Sequence, residues 1–198
     1  MSFGSYIKRK ILGNILKIKD GRVKFFGKSD FIMFPASGMA GFLNQIYDDF
    51  GEQYLFDLGY ETGTDGANQM FDDLNLYDNS VFLNKKIILS MFEALGFGEL
   101  VFKVTKPNQA VLYSNEHPVV EASMKMRGKK SRVCAHYRGI YSIHTDMDFK
   151  VKGCRFVETK CVAHGDPYCE WSYNYFKNPK LVSDRLGKKK VVLKKKKS

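Results

Sequence analysis

No apolar run in the 198-residue sequence is long enough to cross a bilayer. A span needs ~18 uninterrupted apolar residues, and the best candidate, Ile87 to Phe97, is broken by Ser90 and Glu93. Near the N-terminus, Lys8, Arg9 and Lys10 precede only a short mixed segment with Asn14 and Lys17, without the apolar core and cleavage site of a signal peptide. Cysteine is scarce, with four residues. The expected setting is therefore cytoplasmic and reducing, where clustered thiols point to metal more than to disulfides.

Nucleotide fingerprints are missing too. Gly27-Lys28-Ser29 resembles the end of a phosphate-binding loop, but Arg22 occupies the position of its first glycine. The segment after it, Phe31 to Phe34, reads as a strand, whereas phosphate needs a helix N-terminus there. Gly96-Phe97-Gly98 has no third glycine, which argues against a self-contained hydride-transfer enzyme. His117, His136, His144 and His164 form no His-Glu-x-x-His pair, and no serine has a nucleophile-elbow context. No catalytic set is expected.

What is present describes a globular domain with a basic tail. Hydrophobic residues make up 44% and charged residues 27%, and a chain this long can bury roughly 70% of its unfolded surface. The net charge of +11 is uneven, because Arg185 to Ser198 carries eight basic residues and no acid. Without those eight, 24 basic residues face 21 acidic ones, a body near +3. Residues 1–180 are expected to form one domain. Residues 181–198 are expected to be a disordered tail, since like charges at this density repel. Its possible partner is nucleic acid or another acidic surface, bound without base readout because the stretch has no aromatic side chain for stacking.

Patterning predicts an α+β fold with an antiparallel sheet. Ile15 to Lys19 and Val23 to Phe26 flank Asp20-Gly21, a hairpin signal, and Phe31 to Phe34 reads as a third strand. Met39, Phe42, Leu43, Ile46 and Phe50 recur at helical spacing after Pro35. A second helix is expected to end at Gly59 or Gly63, and a third to start at Thr64-Asp65-Gly66. Ser80 caps a fourth that stops at Gly96 and Gly98. Glu99 to Thr105 and Gln109 to Ser114 alternate as strands, and His117 to Met126 reads as a short helix. Val133, Tyr137, Ile140, Tyr141 and His144 share one face of another helix. Arg155 to Thr159 and Tyr168 to Tyr175 close the sheet. Helices grouped between strand runs are the mark of α+β.

The chemistry is concentrated between Cys134 and Trp171. Cys134, Glu158, Cys161 and Cys169 offer three thiols and a carboxylate, a donor set suited to tetrahedral zinc. The turn His164-Gly165-Asp166-Pro167 can bring Cys169 back beside Cys161. Alternation on a strand places Glu158 with Cys154 and opposite Cys161. On spacing alone, then, Cys154 or a histidine is also a candidate fourth ligand.

The same segment resembles the C-terminal signature of the 4-vinyl reductase domain family, Cys…Gly…Glu-x-x-Cys…Gly-Asp-Pro-x-Cys-x-Phe. Cys134, Gly139, Glu158, Cys161, Gly165, Asp166, Pro167 and Cys169 match it, with Trp171 at the aromatic position. The upstream glycines Gly59, Gly63 and Gly66 fit more loosely. The resemblance spans roughly residues 10 to 176 and is specific over the last 45 of them. It implies zinc on Cys134, Glu158, Cys161 and Cys169, with Cys154 outside the set. It also implies a homodimer and a fold related to transport-particle subunits and haem nitric-oxide sensor domains. No helix-turn-helix or ATPase segment, the output modules of sensory relatives, is recognisable here.

Two functions are weighed on this basis. The 16 Phe and 11 Tyr suit a sensor-like domain with an apolar ligand cavity, and Tyr137, Tyr141 and His144 are its candidate lining. The family name suggests, alternatively, an accessory protein or enzyme of tetrapyrrole vinyl reduction, for which no hydride-donor site is visible.

Overall fold

A computed structural model describes residues 16–20, 22–25, 29–32, 34–106, 109–151, 153 and 155–174. Three short strands come first: β1 (Leu16–Lys19), β2 (Arg22–Phe25) and β3 (Ser29–Phe31), antiparallel in the order β1-β2-β3. Asp20, at φ 51, turns the first hairpin, so that Lys19 pairs with Arg22. A left-handed residue at this position matches the twist of the flanking strands.

Two helical segments that meet at Gly51, together α1 (Ala36–Leu74, 39 residues), replace the three helices expected from the sequence; the first break is met and the second is not. Gly51 kinks it, at φ 82 and ψ 179, but Gly59 and Gly63 are helical and buried within it. Glycine weakens helices, so the sequence alone predicts a stop at one of these positions. In the fold they are close-approach points, described below. Asn75, left-handed at φ 53, ends α1.

Helix α2 (Val81–Ala94) starts where the sequence places it, with the Ser80 side chain accepting from Leu83 N. The strands β4 (Leu100–Lys106) and β5 (Gln109–Ser114) follow, then α3 (Pro118–Arg127), with proline in its first turn. Helix α4 (Cys134–Asp148) and the strands β6 (Phe156–Lys160) and β7 (Cys169–Asn174) complete the chain. The main sheet is antiparallel in the order β4-β5-β7-β6, which confirms the α+β class.

Helix α4 lies in the centre of the molecule, packed on α1 and on β6. Every residue from Tyr141 to Asp148 is buried, the pattern of a helix covered on all sides. The inward residues of β5 and β7 stand opposite one another, Leu112 to Trp171 and Ala110 to Tyr173. All four are buried and pack into one core. Among the described residues no helix is long and apolar enough to cross a membrane.

Contact between α1 and α4 depends on glycine. A Cβ on Gly59 would lie 2.0 Å from the His136 carbonyl oxygen, and one on Gly139 would lie 2.2 Å from that of Phe56. No side chain fits, so the two backbones touch directly.

Candidate metal centre and cavity

Three elements deliver the thiols to one point. Cys134 is the first residue of α4, Cys161 directly follows β6, and Cys169 opens β7. Cys134 Sγ lies 3.6 Å from Cys161 Sγ and 3.9 Å from Cys169 Sγ, and all three are buried. A disulfide requires ~2.05 Å, so none is formed. With Zn–S bonds of ~2.3 Å, the edge of a tetrahedron is about 3.8 Å. The donor spacing therefore matches a metal thiolate cluster, and the three cysteines lie close enough to hold an ion.

The parity conflict between Glu158 and Cys161 is removed by a β-bulge. Glu158 pairs with Trp171 but Lys160 pairs with Glu170, which leaves Thr159 as an extra residue. One inserted residue restores the phase, so Glu158 and Cys161 fall on the same side. Glu158, Cys161 and His164 form a second donor group that shares Cys161 with the thiol trio. Cys154 lies outside the described residues.

The turn after Cys161 is built to hold this geometry. Asp166 accepts from Cys161 N at 2.8 Å, while His164 N and Asp166 N both donate to Cys161 O, at 2.9 and 3.2 Å. Gly165, at φ 101, takes the left-handed position.

Electrostatics divide the three thiols, with Cys134 and Cys169 pushed up and Cys161 pulled down. Hydrogen bonds from Cys134 and then Cys169 pull the Cys161 thiol far below its ordinary range, against the opposing effect of burial. Burial first, and then the Cys161 charge, pushes Glu158 up to about 7. Trp171 Nε1 donates to Glu158 Oε2 at 3.3 Å and fixes its orientation.

A cavity of about 310 Å³ opens between α1, α2 and α4. Its apolar wall is made by Met70, Phe92, Leu95 and Ile140, and His144, Thr62, Gln69, Asp73 and Asp30 of β3 supply its polar side. Gly63 and Gly66 form the α1 side. A Cβ on Gly66 would meet nothing within 4 Å, so this glycine faces open space. The His144 ring stands edge-on to Phe92 at 5.0 Å, and its buried Nδ1 has no hydrogen-bond partner. Burial, reinforced by Lys85, pushes its pKa down to about 3, so the ring is neutral.

Tyr137 and Tyr141 are placed differently from His144. They belong to an aromatic cluster packed beside the cavity, where Tyr141 touches Phe92 and Trp171, and Tyr137 touches Phe97 and His117. Tyr141 OH and His117 Nε2 are 3.3 Å apart.

Sequence reasoning missed one buried charge pair. Lys85 Nζ lies 2.6 Å from Asp148 Oδ2, donates to Thr145 Oγ1 at 2.8 Å, and sits 4.8 Å from the Phe102 ring centre. The available signal was a lysine on the apolar face of α2 beside Ile88 and Phe92; its partner is 63 residues away and has no spacing signature.

No known family model matches the sequence, and no curated protein matches it. The fold does have solved relatives. The phenol-responsive sensory domain of the transcription activator PoxR, solved with phenol, superposes with a TM-score of 0.71 at 14% identity. The match covers 94% of this chain and 98% of that one. A trafficking protein particle complex subunit 3 from Naegleria fowleri, covalently bound to palmitic acid, superposes with a TM-score of 0.53 at 12% identity. That match covers 70% of this chain and 93% of the subunit. The chain therefore has the fold of sensory domains and trafficking-complex subunits.

Proposed function

We propose that this protein is a small-molecule-binding, sensor-like domain of the 4-vinyl reductase type, stiffened by a structural zinc. The observation that carries the reading is the cavity between α1, α2 and α4, in a fold shared along nearly its whole length with a phenol-responsive sensory domain. At about 310 Å³ it falls at the small end of ligand pockets, ~300–1,000 Å³. A largely apolar wall, with His144, Thr62, Gln69, Asp30 and Asp73 as its polar members, suits a one- or two-ring aromatic molecule that carries a polar group.

Zinc would be held by Cys134, Cys161, Cys169 and Glu158. Four protein ligands leave no open position, so its chemistry is structural: it cross-links the start of α4 to the β6–β7 turn. The chain's own residues orient the set through the Thr159 bulge, the Trp171 hydrogen bond and the Asp166 clasp. The homodimer implied by the resemblance is supported by Phe42, Phe50 and Tyr54, exposed along α1.

Calorimetric titration with benzene, phenol and indole tests the reading. Saturable one-to-one binding of at least one of them, with a negative heat-capacity change from apolar burial, is expected. Heats no different from dilution for all three would contradict it.

A further inference from the structure

We propose that His164 is an alternative metal ligand, able to take the place of Glu158 at the fourth corner of the thiolate site. The inference rests on the metal reading above and goes beyond it, since the resemblance assigns the fourth corner to Glu158 alone. It starts from a surplus of donors. Around Cys161 the fold gathers five side chains that can ligate a metal: Cys134, Cys161, Cys169, Glu158 and His164. A tetrahedral ion uses four.

Glu158 and His164 approach the cluster from different sides. Glu158 is held from within, by Trp171 Nε1 at 3.3 Å, and its side chain is 16% exposed. The His164 side chain is 44% exposed and stands at the solvent edge. The short helix Val162–His164 folds it back over Cys161, and the hydrogen bond from His164 N to Cys161 O fixes that approach.

Coordination number separates simultaneous from alternative binding once three thiols are on the ion. His164 Nδ1 lies 4.0 Å from Glu158 Oε1. Two N/O ligands on one tetrahedral ion, each at ~2.0–2.1 Å, stand about 3.4 Å apart. The observed gap is wider than that edge, while both donors remain within 4.8 Å of the Cys161 sulfur. With Cys134, Cys161 and Cys169 on a tetrahedral ion one position is left, and Glu158 and His164 are the two further donors grouped with the Cys161 sulfur. His164 thus gives the buried site a solvent-facing ligand, the entry path that a closed thiolate cluster otherwise lacks.

Cobalt(II) titration of the full chain reads this directly, because thiolate charge-transfer and d–d bands report coordination without any activity. Glu158→Gln keeps an acceptor for Trp171 and removes the carboxylate. Glu158→Gln is expected to bind one Co2+ per chain within ~10-fold of wild-type affinity, with shifted d–d bands as nitrogen replaces oxygen. The double variant Glu158→Gln/His164→Ala is expected to bind at least ~100-fold more weakly than Glu158→Gln, at the upper end of losses seen when a metal site is disturbed. If Glu158→Gln and the double variant bind alike, whether both tightly or both poorly, His164 is not a ligand and the proposal falls while the metal site stands. If wild type shows no thiolate band with Co2+, the metal reading itself is wrong. Circular dichroism of each variant confirms that the fold is retained.

Discussion

Gly59 of α1 and Gly139 of α4 meet backbone to backbone: a Cβ on Gly139 would stand 2.9 Å from the Gly59 carbonyl carbon. This crossing seats the central helix, and therefore both Cys134 at its start and His144 on the cavity wall. Gly59→Ala and Gly139→Ala should each cost at least ~3 kcal/mol, since backbone atoms must move to admit the methyl group. Gly66→Ala, with open space at the same helix, should be neutral or stabilising by up to ~1 kcal/mol. Urea midpoints of the three variants check the contrast.

Acid should loosen the fold through its buried histidines. His144 is pushed down to about 3 and His117 to about 4, both mainly by burial. In the unfolded chain each has a pKa near ~6.5. Below that pH the unfolded state binds protons that the folded state refuses, so stability falls as pH drops from 6.5 toward 3–4. At pH 4.5 the His144 contribution is about 2–3 kcal/mol. His144→Asn should flatten the pH dependence of the urea midpoint between pH 6 and 4.5; an unchanged slope would mean that the histidine is protonated in the fold.

Lys85 and Asp148 form an ion pair in which burial dominates for both partners, lowering the lysine pKa and raising that of the aspartate. Breaking such a pair leaves one charge stranded. Lys85→Met should cost ~3–5 kcal/mol, and the double variant Lys85→Met/Asp148→Leu should be more stable than either single variant. A four-way cycle of unfolding free energies measures the coupling, and strictly additive losses would refute it.

Metal should be part of the folding free energy. Chelation of protein as isolated is expected to lower Tm by about 10 °C, restored by zinc. Cys161→Ser should reproduce the loss, and Cys154→Ser should keep one zinc per chain. Zinc lost from Cys154→Ser but kept by Cys161→Ser would reverse the assignment.

Local signals in the sequence located most elements but not the site they build. Ser80 and the alternation in Gln109–Ser114 mark a cap and strand faces that depend on neighbouring residues, and the structure places them where expected. Gly59 and Gly63 misled for a physical reason: a glycine that ends a helix and one that admits a second helix look identical in sequence. The Glu158–Cys161 geometry needed the bulge at Thr159, which alternation cannot show. The cavity gathers residues from three helices, and Lys85–Asp148 joins two helices across the core, so neither leaves a spacing to read.

The cavity itself is the central claim, and Gly66 gives direct access to it. A Cβ at position 66 meets nothing within 4 Å and Gly66 lines the cavity, so a leucine there occupies cavity space, and it favours the helix over glycine by up to ~1 kcal/mol. The decisive measurement is thermal denaturation of wild type and Gly66→Leu, each with and without the aromatic compound that binds wild type best. The ligand should raise the wild-type Tm by mass action and leave that of Gly66→Leu unchanged, although the variant itself is at least as stable. Equal shifts in both proteins, or none in wild type, would contradict the account.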